Sequence, residues 1–461
     1  MKNNVTIIGA GISGLTTAFL LKKNGLNITV IEAENEVGGT MKSKRINGYL
    51  VEAGPNSALE TTPLFKQIID EIGLSNEMTY ANEASNKRYI FKNGNLYPLP
   101  MKPQEFFKCK LWSWRGKFRI MLEPFHGRAK NTTNDPFWEE TVAQFVRRRL
   151  GEEFLDYTIN PFVAGVYAGD PDKLGVRSAF PRLYALEEKY GGLIIGTIKG
   201  AKERKKRAEK SKVTAKMFSF INGMGTLPIG IANYLGDLVI TGARAKSIKK
   251  DASGYIVEFE KDGKIENIRS EVVVISTPAY IAGELIKGLS DKLEDALKQI
   301  YYPPVAEIVF GYKKEQLGIE PDGFGFLIPE KEKRKILGTL WNSTIFPQRA
   351  PEGYVEFTTF VGGARQPELA LKSDDELIKI VSDELKDIMK INGEPEFVWI
   401  SKWEKAIPQY NVGHLKIMAM IDEFENENSG IYLCANYRGG ISVGDCVMSA
   451  EKIANKILNK R

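Results

Sequence analysis

Val5, Thr6, Ile7 and Ile8 form a β-branched run that stops at Gly9, and residues 15–23 follow with the apolar spacing of a helix. Residues 28–31, Ile-Thr-Val-Ile, repeat the strand pattern. Strand, helix, strand is the opening of an α/β fold with a parallel sheet. Further apolar runs at 238–241, 255–259 and 272–275 predict a strand-rich segment that returns to the same sheet. Residues 431–435 predict a last strand, followed by a helix with Asp445 as N-cap that reaches about Leu458. Residues 86–99 read as a hairpin around Asn93-Gly94; beyond it the chain is mainly helical until glycines and turn residues interrupt at 161–171. No run of about 18 uninterrupted apolar residues occurs, so no spanning helix is predicted. The first apolar run begins too early for a signal peptide, and the chain is expected to start with its fold.

The glycines between these elements carry chemistry. Gly9-Ala10-Gly11-Ile12-Ser13-Gly14 joins the first strand to its helix. In a G-x-G-x-x-G turn Gly9 permits the tight bend, Gly11 lets backbone approach a pyrophosphate, and Gly14 lets helix pack on strand, with the helix N-terminus facing the anion. Glu32, at the end of the second strand, is placed to accept hydrogen bonds from ribose hydroxyls. A dinucleotide is the cofactor class this order of elements selects. Gly38-Gly39 and Glu52-Ala53-Gly54-Pro55-Asn56-Ser57 come next, and as bare patterns they are equally what ordinary turns use. A second glycine-rich junction, 436–445, sits before the last helix, whose positive end would favour negative charge on a bound ring. One cofactor held by both ends of the chain implies a domain assembled from separated segments.

Length and composition change the picture little. At 461 residues the chain allows two or three domains, and 43% hydrophobic with 26% charged residues is ordinary for a globular protein. The 3 Cys and 2 His show neither metal-ligand nor disulfide spacing, which points to a reducing compartment and no metal. Charge is more informative. The net +6 is uneven: residues 87–130 carry +9 and residues 199–216 carry +7, leaving the remainder near −10. Such asymmetry fits an anionic substrate, an anionic membrane surface or nucleic acid. The run 199–216 has no interleaved aromatic, so a loop or lipid contact is the expectation there and nucleic-acid binding is not. Phe106, Phe107, Leu111, Trp112, Trp114 and Phe118 alternate with Lys108, Lys110, Arg115, Lys117 and Arg119. That mixture suits either a bilayer interface or a helix burying its aromatics.

The dinucleotide turn with a Gly-Gly pair beyond the ribose acid resembles the amine oxidase superfamily of flavoproteins. Asn86 to Tyr89 with the Asn-Gly hairpin, and residues 161–171, 323–329, 338–341, 407–410 and 440–446, are together similar to the oxygen-dependent protoporphyrinogen oxidase family. The resemblance implies an FAD-binding Rossmann-like domain (1–85, 212–282, 411–461), a mixed-sheet substrate domain (86–99, 283–410) and a helical, membrane-docking insertion (100–211). It implies FAD held without a covalent bond by Gly9, Ala10, Gly11, Ile12, Ser13, Gly14, Glu32, Ala33, Gly38, Gly39, Thr40, Gly54, Pro55, Asn56, Ser57, Ala245, Gly440, Ile441, Ser442 and Val443. The implied reaction is six-electron oxidation of protoporphyrinogen IX to protoporphyrin IX in haem biosynthesis, with dioxygen reduced to hydrogen peroxide and no discrete acid or base. Arg88 would bind a substrate carboxylate, with Lys87 its nearest competitor, while Phe162, Leu327 and Trp341 pack on the pyrroles and Gly165 and Gly169 let backbone pass close. Coproporphyrinogen III is the alternative substrate, and an amine oxidase or a non-catalytic flavoprotein carrier are further alternatives. The expected setting is cytoplasmic, peripheral on the inner face of the cell membrane, as monomer or homodimer, with handover of product to a ferrochelatase.

Overall fold

The computed structural model describes residues 4–131, 133–207 and 215–459. Residues 208–214, within the basic run expected to be a loop or lipid contact, lie outside the described residues. The apolar runs assemble into a five-stranded parallel sheet in the order Val239–Ile240, Asn27–Ile31, Asn4–Ile8, Val272–Ile275, Ile431–Leu433. Both faces are covered, which is why these strands are apolar without alternation. Helices Ile12–Lys23, Val443–Leu458 and Thr226–Leu235 cover one face. Helices Ala279–Leu285, Asp291–Lys298 and His414–Glu427 cover the other, beside an antiparallel sheet of Ala243–Asp251, Gly254–Lys261 and Lys264–Ser270. The segment 279–302 therefore belongs with the nucleotide sheet, whereas the expected boundary put most of it with the substrate domain. Residues 255–259 likewise sit in the antiparallel sheet and do not return to the parallel one.

A seven-stranded mixed sheet forms the second layer, in the order Phe397–Trp403, Val305–Lys313, Tyr354–Gly362, Gly338–Leu340, Gly325–Leu327, Tyr89–Lys92, Asn95–Pro98. The hairpin of the last two turns through Asn93 (φ 49°) and Gly94 (φ 78°), the pair of positive φ values that matches strand twist in a two-residue loop. Helix Asp374–Met389, opened by a reciprocal Ser373/Glu376 capping box, closes the back of this sheet.

Residues 103–207 form the helical insertion. Its core is partly ionic. Arg149 is fully buried and donates to Glu123 at 3.2 Å, to Glu187 at 2.5 Å and to the carbonyls of His126 and Gly191. Trp112 is only 5% exposed, stacks on Phe154 and donates to Thr158 at 3.2 Å, and Leu111 is buried beside it. These two are core residues, so this part of the aromatic segment follows the alternative of a helix burying its aromatics. Phe107, Trp114 (70% exposed), Phe118, Met121 and Phe125 (84%) do face outward.

Candidate active site

The two ends of the chain meet at the nucleotide turn. Gly9 has φ 102°, and a Cβ there would lie 2.9 Å from the Ser276 carbonyl; a Cβ on Gly14 would lie 2.0 Å from the Gly9 carbonyl. Backbone is thus packed on backbone at both positions. Gly11 differs: a Cβ there would meet nothing within 4 Å. The helix starts at Ile12, three residues earlier than the apolar spacing predicts, with Gly11 as its cap, no side-chain cap bond and no acid in its first turn, and Ser13 is buried at its start. Its amide donors are left for an anion. Gly38 donates to the Ala10 carbonyl at 2.8 Å and bridges Gly11, so the Gly38-Gly39-Thr40 turn lies along the first one.

Glu32 spans the turn, accepting from Ala10 N at 2.7 Å through one carboxylate oxygen and from Glu34 N at 3.0 Å through the other. Each oxygen keeps a lone pair for a ribose hydroxyl. Ala33 continues from it at intermediate exposure. Ala245 sits at a β-bulge inside a strand, where residues 245–248 were expected between two strands. The hydroxyls of Ser247, Ser276 and Thr277 and the Asn56 Oδ1 are buried without partners. Orphaned hydrogen-bonding groups, open space at Gly11 and an uncapped helix fit a dinucleotide such as FAD.

The segment Gly54-Pro55-Asn56-Ser57 is fixed from the other layer, which sequence reasoning missed. Arg349 is buried, pairs with Glu52 at 2.5 Å and donates to the Asn56 carbonyl at 3.0 Å and to Ser219 at 2.8 Å. Glu307, on the strand Val305–Lys313, accepts from Gly54 N at 3.2 Å, and burial pushes its carboxyl up to about 8. It is therefore mostly protonated at neutral pH. No pattern in the sequence marks either residue, because both act on a segment some 250 to 300 positions away.

At the C-terminal junction, Gly439 and Gly440 have φ 89° and 131°. Ser442 is the N-cap, accepting from Asp445 N at 3.2 Å and donating to its carboxylate at 2.6 Å, so Asp445 lies in the first turn and is not the cap. Val443 begins the helix in the core and Ile441 leans on the insertion. Tyr410 bolts this loop down, donating to the Asn436 carbonyl at 2.6 Å and accepting from Gly440 N at 3.0 Å.

Most residues expected on the substrate side fall on the helix Asn160–Tyr167 and the strand Gly325–Leu327. Phe162 and Val166 are exposed on one face of that helix, and Leu327 presses on Gly165, where a Cβ would come within 2.5 Å of it. Phe360 packs with Ala164 and Ala168, on the buried face of that helix. It went unnoticed because its strand is buried on both faces, polar positions included. One expectation needs correction. Trp341 is 1% exposed and sits behind the sheet with Phe326 and Tyr89 against its ring, so it has no face for a pyrrole. Gly169 is crowded by Gln409 and Tyr167, which makes its lack of a side chain a packing requirement.

Lys87 and Arg88 part company. Lys87 is paired with Asp322 at 2.5 Å. The Arg88 guanidinium lies 5.2 Å over the Phe324 ring with no carboxylate partner among the described residues, and packing around it lowers its pKa. An unspent guanidinium is the group a carboxylate ligand would use.

The family described as flavin containing amine oxidoreductase matches residues 12–458. Protoporphyrinogen oxidase 2, chloroplastic/mitochondrial, of Arabidopsis thaliana is 34% identical over 476 residues, covering 99% of this chain and 94% of its own. Coproporphyrinogen III oxidase of Bacillus subtilis (strain 168) is 30% identical, covering 97% and 96%. Among solved structures, a candidate protoporphyrinogen oxidase from Exiguobacterium sp. 255-15 superposes with a TM-score of 0.82 at 23% identity over all of both chains. Reduced UDP-galactopyranose mutase gives 0.74 at 16% identity, covering all of this chain and 96% of its own.

Proposed function

The chain belongs to the flavin-containing amine oxidoreductase family, and from that premise we propose that it is an FAD enzyme oxidising a propionate-bearing porphyrinogen to the porphyrin. Protoporphyrinogen IX is the first substrate to test and coproporphyrinogen III the second, since relatives of both names align over nearly the whole chain. When bound, FAD takes two electrons from the substrate per cycle and passes them to dioxygen as hydrogen peroxide, so three cycles complete six-electron aromatisation.

The observation that carries the reading is Arg88, a guanidinium without a carboxylate at the start of the strand that pairs with 326–327. The exposed Phe162 and Val166, with Leu327 against Gly165 beside them, suit a flat hydrocarbon-rich ring. Arg349 fixes the 54–57 loop and Tyr410 the 436–440 loop, so each glycine loop is held in place. An amine substrate is disfavoured: an ammonium group would meet Arg88, and Glu307 is neutral at pH 7.

Peripheral docking through the insertion is part of the proposal. What supports it is the outward set Phe107, Trp114, Phe118, Met121 and Phe125 beside Lys108, Lys110 and Arg115. The inner side of the same segment packs on Leu327, so the outward rings flank the proposed substrate side. Among the described residues no helix is long and apolar enough to cross a membrane. Cytoplasmic residence, handover to a ferrochelatase and a monomeric or homodimeric state belong to the same proposal.

Anaerobic mixing of the holoenzyme with each porphyrinogen tests it. Rapid bleaching of the flavin, then three equivalents of peroxide per porphyrin once air is admitted, is expected. Bleaching by alkylamines and by neither porphyrinogen would overturn it.

A further inference from the structure

A second arginine of the substrate sheet is left without a counter-charge. Arg365 follows the strand Tyr354–Gly362, where Gly363 lets the chain close on the end of the helix Asn160–Tyr167: a Cβ on Gly363 would lie 2.6 Å from the Ala168 carbonyl, and Ala364 N donates to that carbonyl at 2.7 Å. The guanidinium donates to the Asn160 carbonyl at 3.0 Å and, at 3.4 Å, to that of Ile328, while its Nε is buried without a partner. No carboxylate lies within ion-pair distance of it among the described residues. The acids nearby are engaged elsewhere. Glu330 accepts from Asn160 Nδ2 at 3.0 Å, and Asp170 accepts from Asp172 N at 2.9 Å and lies 3.7 Å from Lys173. Burial lowers the Arg365 pKa to about 10, so the group stays charged at neutral pH. The buried arginines Arg149 and Arg349, by contrast, each hold a carboxylate. A sheltered cation without its anion is a cost that a bound carboxylate would remove.

Its position gives that cost a use. Arg88 leans on Phe324, and Arg365 bonds the carbonyl of Ile328. The register Phe326↔Tyr89 and Leu327↔Ile90 places the two arginines at opposite ends of one short strand. Four residues at about 3.3 Å each separate their anchor points by about 13 Å. Leu327, pressed on Gly165, lies between them. We infer that Arg365 forms a second carboxylate subsite, facing Arg88 across Leu327, for a tetrapyrrole carrying propionates on both edges. The inference rests on the porphyrinogen reading above. Two Nη protons of Arg365 beyond those given to Asn160 and Ile328 would make the contact. A dicarboxylate porphyrinogen can satisfy Arg88 alone, whereas a tetracarboxylate one, of the coproporphyrinogen type, satisfies both.

The test is fluorescence titration of the holoenzyme with coproporphyrin III and with mesoporphyrin IX, which has ethyl groups in place of the second pair of propionates. The wild type should bind coproporphyrin about tenfold more tightly or better. Arg365→Gln should abolish that difference while leaving mesoporphyrin unchanged, Arg365→Lys should keep part of it, and Arg88→Met should weaken both ligands. Equal affinities in the wild type overturn the inference whether or not the variants fold. So does an equal loss for both ligands in Arg365→Gln, which would make Arg365 a clamp between helix and strand. If neither porphyrin binds and no porphyrinogen bleaches the flavin, the porphyrinogen reading itself fails and the subsite with it.

Discussion

Replacing Arg88 by Met separates substrate binding from folding. The change removes the charge and keeps much of the stem that packs over Phe324. Arg88 is exposed until a substrate covers it, so removing a charge-assisted hydrogen bond there costs about 1.5 kcal/mol, the low end for such contacts, or roughly tenfold in affinity. The folded protein should lose little, because Arg88 has no carboxylate and its interaction with Phe324, 5.2 Å away, is worth about 0.5–1 kcal/mol at most. Lys87→Met is the matched control. It breaks an ion pair whose side chains are 57% and 44% exposed, worth about 0–1 kcal/mol, and should leave porphyrinogen affinity unchanged. Both variants should purify with full FAD. Stopped-flow bleaching under anaerobic conditions, as a function of porphyrinogen concentration, gives the dissociation constant and the limiting rate separately. The expected result is a weaker constant for Arg88→Met with a limiting rate close to wild type, and a binding curve less sensitive to salt. Equal constants in wild type and Arg88→Met, or an equal loss in Lys87→Met, would refute the assignment.

Four further outcomes follow from the structure. Glu307 is held protonated up to about pH 8 when folded, against 4.5 for its ordinary value, so the unfolded chain gives up this proton first. Stability should then fall with rising pH between those values by up to about 1.4 kcal/mol per unit; Glu307→Gln should gain stability over wild type from pH 5 to pH 8 in urea titrations of holoenzyme, and a constant difference would refute this. Arg149→Met leaves Glu123 buried without its cation and Glu187 with Arg148 alone, and about 3 kcal/mol should be lost, read as early melting and easy proteolysis of the insertion. Gly14→Ala drives a methyl into the Gly9 carbonyl, and the protein should purify without yellow colour, measured as the ratio of 450 nm to 280 nm absorbance. Trp114→Ser with Phe118→Ser and Phe125→Ser should lower flotation with anionic liposomes even at high salt while leaving the melting temperature unchanged, because all three side chains are exposed; wild type that stays with the soluble fraction at low salt would end the docking proposal.

The parts legible in the sequence are those whose requirements are local. Gly9, Gly11 and Gly14 answer to a turn that begins and ends within six residues, and Asn93-Gly94 to one of two. Aromatic residues were harder to assign. Whether Trp112 or Trp341 turns to the core or outward depends on the elements that cover it, Phe154 for one and the back of the sheet for the other, and neither follows from its neighbours in sequence. Strand Tyr354–Gly362 is buried on both faces, so alternation could not show which element Phe360 packs on. Arg349, Glu307 and Arg365 escape for the strongest reason: what defines them is a partner, or a missing one, brought near only by the complete fold.

The order of strands in the parallel sheet bears on how the chain can be made. Its edge strand Ile431–Leu433 and the helix Val443–Leu458 are synthesised after the other four strands, yet they cover Val272–Ile275 and the first helix. Until they emerge, a ribosome-bound chain holds an apolar strand with an open edge and half of a nucleotide site, the setting in which unpaired strands aggregate. A cofactor that touches both halves then works as a late fastener: excess FAD should raise the yield of soluble protein, and a chain shortened by some twenty residues should not be rescued by it.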